Sequence, residues 1–164
     1  MGSHGGFGEL VGRLDYPMLV VTSPGERGSG PGGCLVGFAT QCSIKPPRFL
    51  VCISKTNHTF ALAVAAPWLG VHFLGAEQRE LAERFGALTG DEVDKLAGLD
   101  WSPGPGGAPL IAALPHRFAG EVLERWDAGD HMAFVVAPQE ATSAGDWRPL
   151  MFQAVRDVHP GHPA

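Results

Sequence analysis

Charge is scarce in this chain. Asp, Glu, Lys and Arg make up 18% of 164 residues, and acids outnumber bases 17 to 12. A net charge of -5 without a basic stripe speaks against nucleic acid as the main partner. Cysteine is also sparse: Cys34, Cys42 and Cys52 show no CxxC spacing and fall inside β-type runs. That pattern predicts reduced thiols packed as small apolar side chains and no zinc site. His159 and His162 have no carboxylate neighbours at ligand spacing, so no metal is expected in the tail either. No apolar run approaches the ~20 residues that span a bilayer, and no secretory pattern precedes the cysteines, which together predict a cytoplasmic protein.

Glycine and proline, in contrast, are plentiful, at 23 and 14 residues, and they punctuate short β-type runs. The length suits one domain that can bury roughly 70% of its unfolded surface. Gly28, Gly30 and Gly33 spell a formal GxGxxG, but Pro31 interrupts it and a strand follows where a dinucleotide fingerprint needs a helix. The segment reads as a hairpin loop. The organising stretch runs from Gly33 to Thr59. In Cys34 to Ser43, Val36, Phe38, Thr40 and Cys42 share one face and Leu35, Gly37, Ala39 and Gln41 the other, as in a strand. Gly37 marks either a bulge or a close approach by a ligand or another backbone. Pro46 and Pro47 end the strand, Arg48 to Ser54 begins another, and the polar run Ser54 to Thr59 opens a helix over Phe60 to Ala66. Thr56 or Asn57 is the natural N-cap.

The remaining spacing predicts a helix with Phe7, Leu10, Val11 and Leu14 covering one end of a sheet, strands over Tyr16 to Ser23 and Trp68 to Leu74, and a helix over Glu77 to Gly86. A short helix follows in Thr89 to Leu99, with Val93, Leu96 and Ala97 inward, then a loop over Trp101 to Pro109. Arg117 to Trp126 and His131 to Ala137 form a hairpin, and Pro149 to Ala154 a last short strand. Residues 1–6 read as a flexible N-terminal segment, 7–155 as one domain and 156–164 as a flexible tail. His72 beside an apolar stripe is a structural or a site histidine, and Trp101 a lid or a dimer contact. Short strands with Gly/Pro turns and few helices give a mainly β fold, an antiparallel Greek-key barrel.

The order strand, Pro-Pro, strand, polar cap, helix resembles the flavin reductase-like domain family, whose pattern reads roughly NGxTxSxxxSxSxxPP. Gly33, Ser43, Pro46 and Pro47 fall in register with it, and Val71 to Leu74, Leu81 to Phe85 and Gly129 to His131 continue the likeness. Leu35, Gly37 and Phe38 stand where the family commonly carries Thr or Ser, Lys45 where an acid often precedes Pro-Pro, and His72 where an Asn is frequent. The resemblance implies an FMN-binding split barrel, FAD being possible as the flavin, and an NAD(P)H:flavin oxidoreductase. Hydride passes from nicotinamide to flavin, which then serves a monooxygenase partner or another acceptor. It further implies a homodimer, with Trp68, Trp101, Trp126 and Trp147 as aromatic surface for an interface.

Flavin contacts are implied for Leu35, Val36, Gly37, Phe38 and Phe85. Ser54, Lys55, Asn57, His58 and Thr59 at the helix entrance form a candidate phosphate clamp. Lys45, Arg48 and Lys55 either supply local cations or are solvated strand-end charges. The triplet Gly129, Asp130, His131 matches one the family carries beside the flavin or nicotinamide, which makes His131 the candidate catalytic residue and Asp130 its orienting acid. The alternatives are a non-catalytic flavin- or haem-binding barrel, suggested by Leu35, Gly37 and Phe38 in place of polar contacts, and a pyridoxamine phosphate oxidase-like enzyme.

Overall fold

The computed structural model describes residues 4–161. Twelve elements alternate along them: α1 (His4–Val11), β1 (Leu19–Ser23), β2 (Gly32–Val36), β3 (Ala39–Ser43), β4 (Arg48–Ser54), α2 (His58–Ala63), β5 (Trp68–Phe73), α3 (Arg79–Ala87), β6 (Trp101–Pro103), β7 (Pro109–Ile111), β8 (Arg117–Asp127) and β9 (His131–Thr142). Seven of the strands form one antiparallel sheet in the order β2-β1-β5-β8-β9-β4-β3, and β6 pairs with β7.

The edge strands of that order, β2 and β3, are consecutive in the chain and separated only by Gly37 and Phe38. The run Cys34 to Ser43 is therefore two strands rather than one. β2 pairs with β1, the chain bends at Gly37, and β3 pairs with β4, so one sheet curls towards closure and the Phe38 carbonyl accepts from the Cys52 amide at 2.8 Å. The bend resets the side-chain alternation: Val36 is buried, whereas Thr40 and Cys42, on its face in an unbroken strand, are exposed.

β1 is buried on both faces, as its unbroken apolar run Met18 to Val21 requires. Leu19 and Val21 join Val36, Val51, Ile53, Leu69, Val71 and Phe134 in the core that fills the barrel. Met18 and Val20 face a second core with Ala82 and Phe85 of α3, Leu96, Ile111, Leu114 and Leu150. His72 bridges this region. It is fully buried; its Nδ1 donates to the Val20 carbonyl at 3.1 Å and its Nε2 accepts from the Ile111 amide at 3.0 Å, tying β5 to β1 and β7. Burial, outweighing the Val20 bond, pushes its pKa down to about 4. His72 is a structural histidine.

Several expectations change. α1 ends at Val11, short of Leu14, and Phe7, Leu10 and Leu14 are 69%, 64% and 54% exposed, so within this chain the segment covers no sheet end. Residues 1–3 of the expected flexible N-terminal segment lie outside the described residues, and His4 to Gly6 are helical. Thr89 to Leu99 is a series of turns: Leu96 is buried, but Val93 and Ala97 are exposed, because the segment is anchored by Leu96 and the buried Lys95 and not by a helical apolar face. Trp101 to Pro109 contains the β6–β7 hairpin, and Trp101 packs half-buried on the second core, not as a lid. Pro149 and Met151 make only isolated bridges, to Gly75 and Pro17, before a single 3-10 turn. Of the segment 156–164, Val158 packs on the second core and the Gly161 amide donates to the Gly86 carbonyl at 3.1 Å; residues 162–164 lie outside the described residues.

Candidate functional site

Beside the β2–β3 bend lies a cavity of about 470 Å³. Its floor is Cys34 to Phe38 with Cys52 to Ser54 of β4; α3 contributes Phe85 and Gly86, β9 contributes His131, and the chain end contributes Phe152, Val155, Arg156, Val158 and Pro160. Small residues let these elements meet. A Cβ at Gly33 would lie 2.9 Å from the Phe85 ring, and one at Gly86 2.7 Å from Leu35. Gly37 is explained in the same way: a Cβ there would come within 2.7 Å of the Tyr16 ring. The close approach at Gly37 is thus made by the protein's own tyrosine, at the bend where the sheet closes.

Aromatic rings line one side. Tyr16 stacks on Phe152 with centroids 4.8 Å apart and planes 13° apart, Phe38 lies 6.3 Å from Tyr16, and the His131 ring lies 5.2 Å from Phe38. Phe38 is 55% exposed although it lines the cavity, so its ring stands at the mouth. Such a wall suits a flat conjugated ring, which gains both area burial and stacking. His131 is fixed from behind. Its Nδ1 pairs with Asp130 Oδ1 at 2.7 Å, and that bond holds the Asp130 carboxyl below its usual range. With Asp130 ionised, its carboxylate accepts from Nδ1, which leaves the ring's Nε2 to meet a ligand. Cys34 and Cys52 add apolar surface, since burial pushes the Cys34 thiol up to about 11 and raises Cys52 as well.

The cavity gathers eight of the residues singled out from the sequence: Leu35, Val36, Gly37, Phe38, Ser54, Asn57, Phe85 and His131. It does not gather Lys55, His58 or Thr59. Lys55 Nζ donates to Asp127 Oδ1 at 2.7 Å, which lowers the Asp127 pKa. His58 Nδ1 pairs with Asp91 Oδ1 at 2.8 Å beside a second cavity of about 410 Å³ bounded by Gly28 to Gly32 and Gly90 to Lys95. Thr59 is buried, its amide donating to Asn57 Oδ1 at 2.9 Å; Asn57 is the N-cap of α2. Ser54 and Thr56 hydroxyls pair at 3.0 Å on the turn between.

Tyr16, Met18, Cys52, Phe152, Arg156 and Val158 escaped the sequence reading. One signal for the chain end was available: Phe152, Val155 and Val158 recur every third residue, and consecutive turns join them through Val155 N to Phe152 O and Val158 N to Val155 O, both 2.9 Å. Among the described residues there is no group of three His, Cys, Asp or Glu side chains placed to hold a metal.

Residues 11–159 match the flavin reductase like domain. The chain is 31% identical over 150 residues to the reductase subunit of a flavin-dependent monooxygenase from Rhodococcus jostii, covering 89% of this chain and 72% of that protein. It is 29% identical over 131 residues to the reductase subunit of stachydrine N-demethylase from Rhizobium meliloti, covering 77% of this chain and 54%, about half, of that longer protein. Among solved structures, the Streptomyces globisporus NADH:FAD oxidoreductase in complex with NAD and FAD fragments superposes with a TM-score of 0.78 at 27% identity, over 91% of this chain and 87% of that one. A flavin reductase domain protein from Arthrobacter reaches a TM-score of 0.82 over 98% of this chain and 96% of that one, its 22% identity speaking to the fold alone. A closed-up antiparallel sheet, a ring-sized apolar cavity at its bend and this match over nearly the whole length place the chain in the flavin reductase like domain family.

Proposed function

We propose that the protein is an NAD(P)H:flavin oxidoreductase that binds FMN and acts as the reductase component of a two-component monooxygenase. The observation that carries this reading is the cavity at the bend, where an aromatic wall, two polar side chains of the β4–α2 turn and an Asp130-held histidine converge. The residues fit a flavin: Leu35, Val36, Phe38 and Phe85 offer apolar surface to a ring system, and Ser54 and Asn57 offer hydrogen bonds to a polyol chain. A flavin, when bound, supplies the acceptor for a hydride from the nicotinamide. The protein's own part is to hold two rings face to face, exclude water with Phe38 and Phe152, and keep a hydrogen bond or proton ready at His131 Nε2. FMN is favoured over FAD because Asp127, from the end of β8, and Asp91, from the 89–99 turns, already hold Lys55 and His58 beside Asn57. A second nucleotide's charge is poorly received there.

The same reading makes the protein a homodimer. Leu123 and Trp126 of β8 are exposed on the long β8–β9 hairpin, at 42% and 53%, and a second copy is the occupant we assign to them. The decisive experiment combines flavin titration with NADH and NADPH oxidation. Saturable quenching of FMN fluorescence, and nicotinamide oxidation that depends on added flavin and falls about 100-fold in His131→Ala, is the expected result. Flavin binding without nicotinamide oxidation would leave a carrier, not an enzyme, and no flavin binding at all would remove the assignment.

A further inference from the structure

We propose that Arg156 is the cation of this site that receives a phosphoryl group of a nucleotide, belonging to the flavin or to the nicotinamide hydride donor; the proposal rests on the flavoenzyme reading above. Among the described residues, Arg156 is the one side chain of permanent charge that lines the cavity, and no carboxylate lines it. The basic side chains beside the β4–α2 turn are already engaged, Lys55 by an ion pair with Asp127 at 2.7 Å and His58 by a hydrogen bond with Asp91 at 2.8 Å. Arg156 makes no such pair. Its Nη1 donates to the Gln153 amide oxygen at 3.1 Å, a neutral partner that orients the guanidinium without offsetting its charge.

The backbone on either side is pinned. Val155 is buried in the second core, and Asp157, the nearest acid in sequence, is turned outwards and held by Arg79 through two bonds of 3.0 and 2.9 Å. Arg79 also donates to the Ala154 carbonyl. The segment thus carries one carboxylate away from the cavity and leaves one guanidinium at its rim, positioned before any ligand arrives. A planar fork of donors with an unspent charge matches a phosphoryl group bidentately, and prior positioning lowers the ordering cost of binding.

The test uses the full chain with Arg156→Gln and Arg156→Lys, measuring dissociation constants for FMN and riboflavin and the KM for NADH at saturating flavin. If the flavin supplies the phosphoryl group, Arg156→Gln weakens FMN about tenfold and leaves riboflavin unchanged. If the hydride donor supplies it, FMN affinity holds while the KM for NADH rises about tenfold with kcat nearly constant. In either case Arg156→Lys keeps most of the affinity, since the charge remains. FMN affinity and NADH KM both within about twofold of the parent in Arg156→Gln would overturn the proposal while leaving the oxidoreductase intact. So would an equal loss for FMN and riboflavin, which marks lost packing. A parent protein that binds neither flavin would instead remove the reading on which the proposal stands.

Discussion

Cys34, Cys42 and Cys52 look alike in sequence and differ in chemistry because of where the strands carry them. Cys42 is exposed on β3, Cys34 is buried, and Cys52 is half-buried in the cavity wall. Burial holds the latter two thiols protonated, and the thiolate is the reactive form. A bulky disulfide reagent is therefore expected to label Cys42 first, Cys52 slowly and more slowly still with FMN present, and Cys34 only on unfolding. Fast labelling of all three at once would contradict the cavity described here. His72 makes a second prediction at this scale. Its folded pKa, about 4, lies below the ordinary histidine value of 6.5, so between these values the unfolded chain holds more protons and stability rises with pH. Stability present above pH 6.5 is lost as pH falls towards 4, by on the order of 3 kcal/mol in total. Urea unfolding from pH 6.5 to 5, a window in which most carboxylates stay ionised, should show the loss in the parent and a flatter profile in His72→Gln. Equal slopes would mean the histidine is not neutral in the fold.

The β2–β3 bend is the element on which the site turns. Its sequence reads as a continuous strand because the residues alternate at period two, and only the pairing of its two halves with different neighbours reveals the corner. Gly37 permits that corner by admitting the Tyr16 ring, which in turn stacks on Phe152. Gly37→Ala should push Tyr16 off the strand, cost about 1–3 kcal/mol by overpacking, and weaken flavin binding along with stability. A variant with parent-like melting and flavin affinity would show that the ring relocates freely. α3 depends on its surroundings in the same way. The carbonyls of its last turn find Lys95 Nζ on Phe85 at 2.9 Å and the Gly161 amide on Gly86, so distant segments complete the helix that presents Phe85 to the cavity. Lys95 is only 5% exposed, and burial lowers its pKa.

At the scale of the whole molecule, the β8–β9 hairpin carries the apolar side chains Leu123 and Trp126 exposed. Of the four tryptophans, Trp126 alone is strongly exposed; Trp147 stacks on His116 at 4.3 Å and Trp68 and Trp101 are half-buried. Trp126→Glu is thus expected to shift sedimentation from the dimer to the monomer mass with the melting curve still cooperative, and a parent protein that sediments as a monomer would refute the interface. Among the described residues no helix is long and apolar enough to cross a membrane. The sequence by itself determined the strands β1, β4, β5, β8 and β9, the proline stop after Ser43, a cap at Thr56 or Asn57 and the Asp130–His131 pair, because each is set by local backbone preference or by neighbours in the chain. Only the tertiary structure decided that Gly37 faces Tyr16, that Lys55 and His58 are held by Asp127 and Asp91, and that Phe152 to Pro160 walls the cavity with Arg156 at its rim. Those outcomes depend on which residues, 20 to 140 positions apart, a closing sheet brings face to face, and no local propensity encodes that pairing.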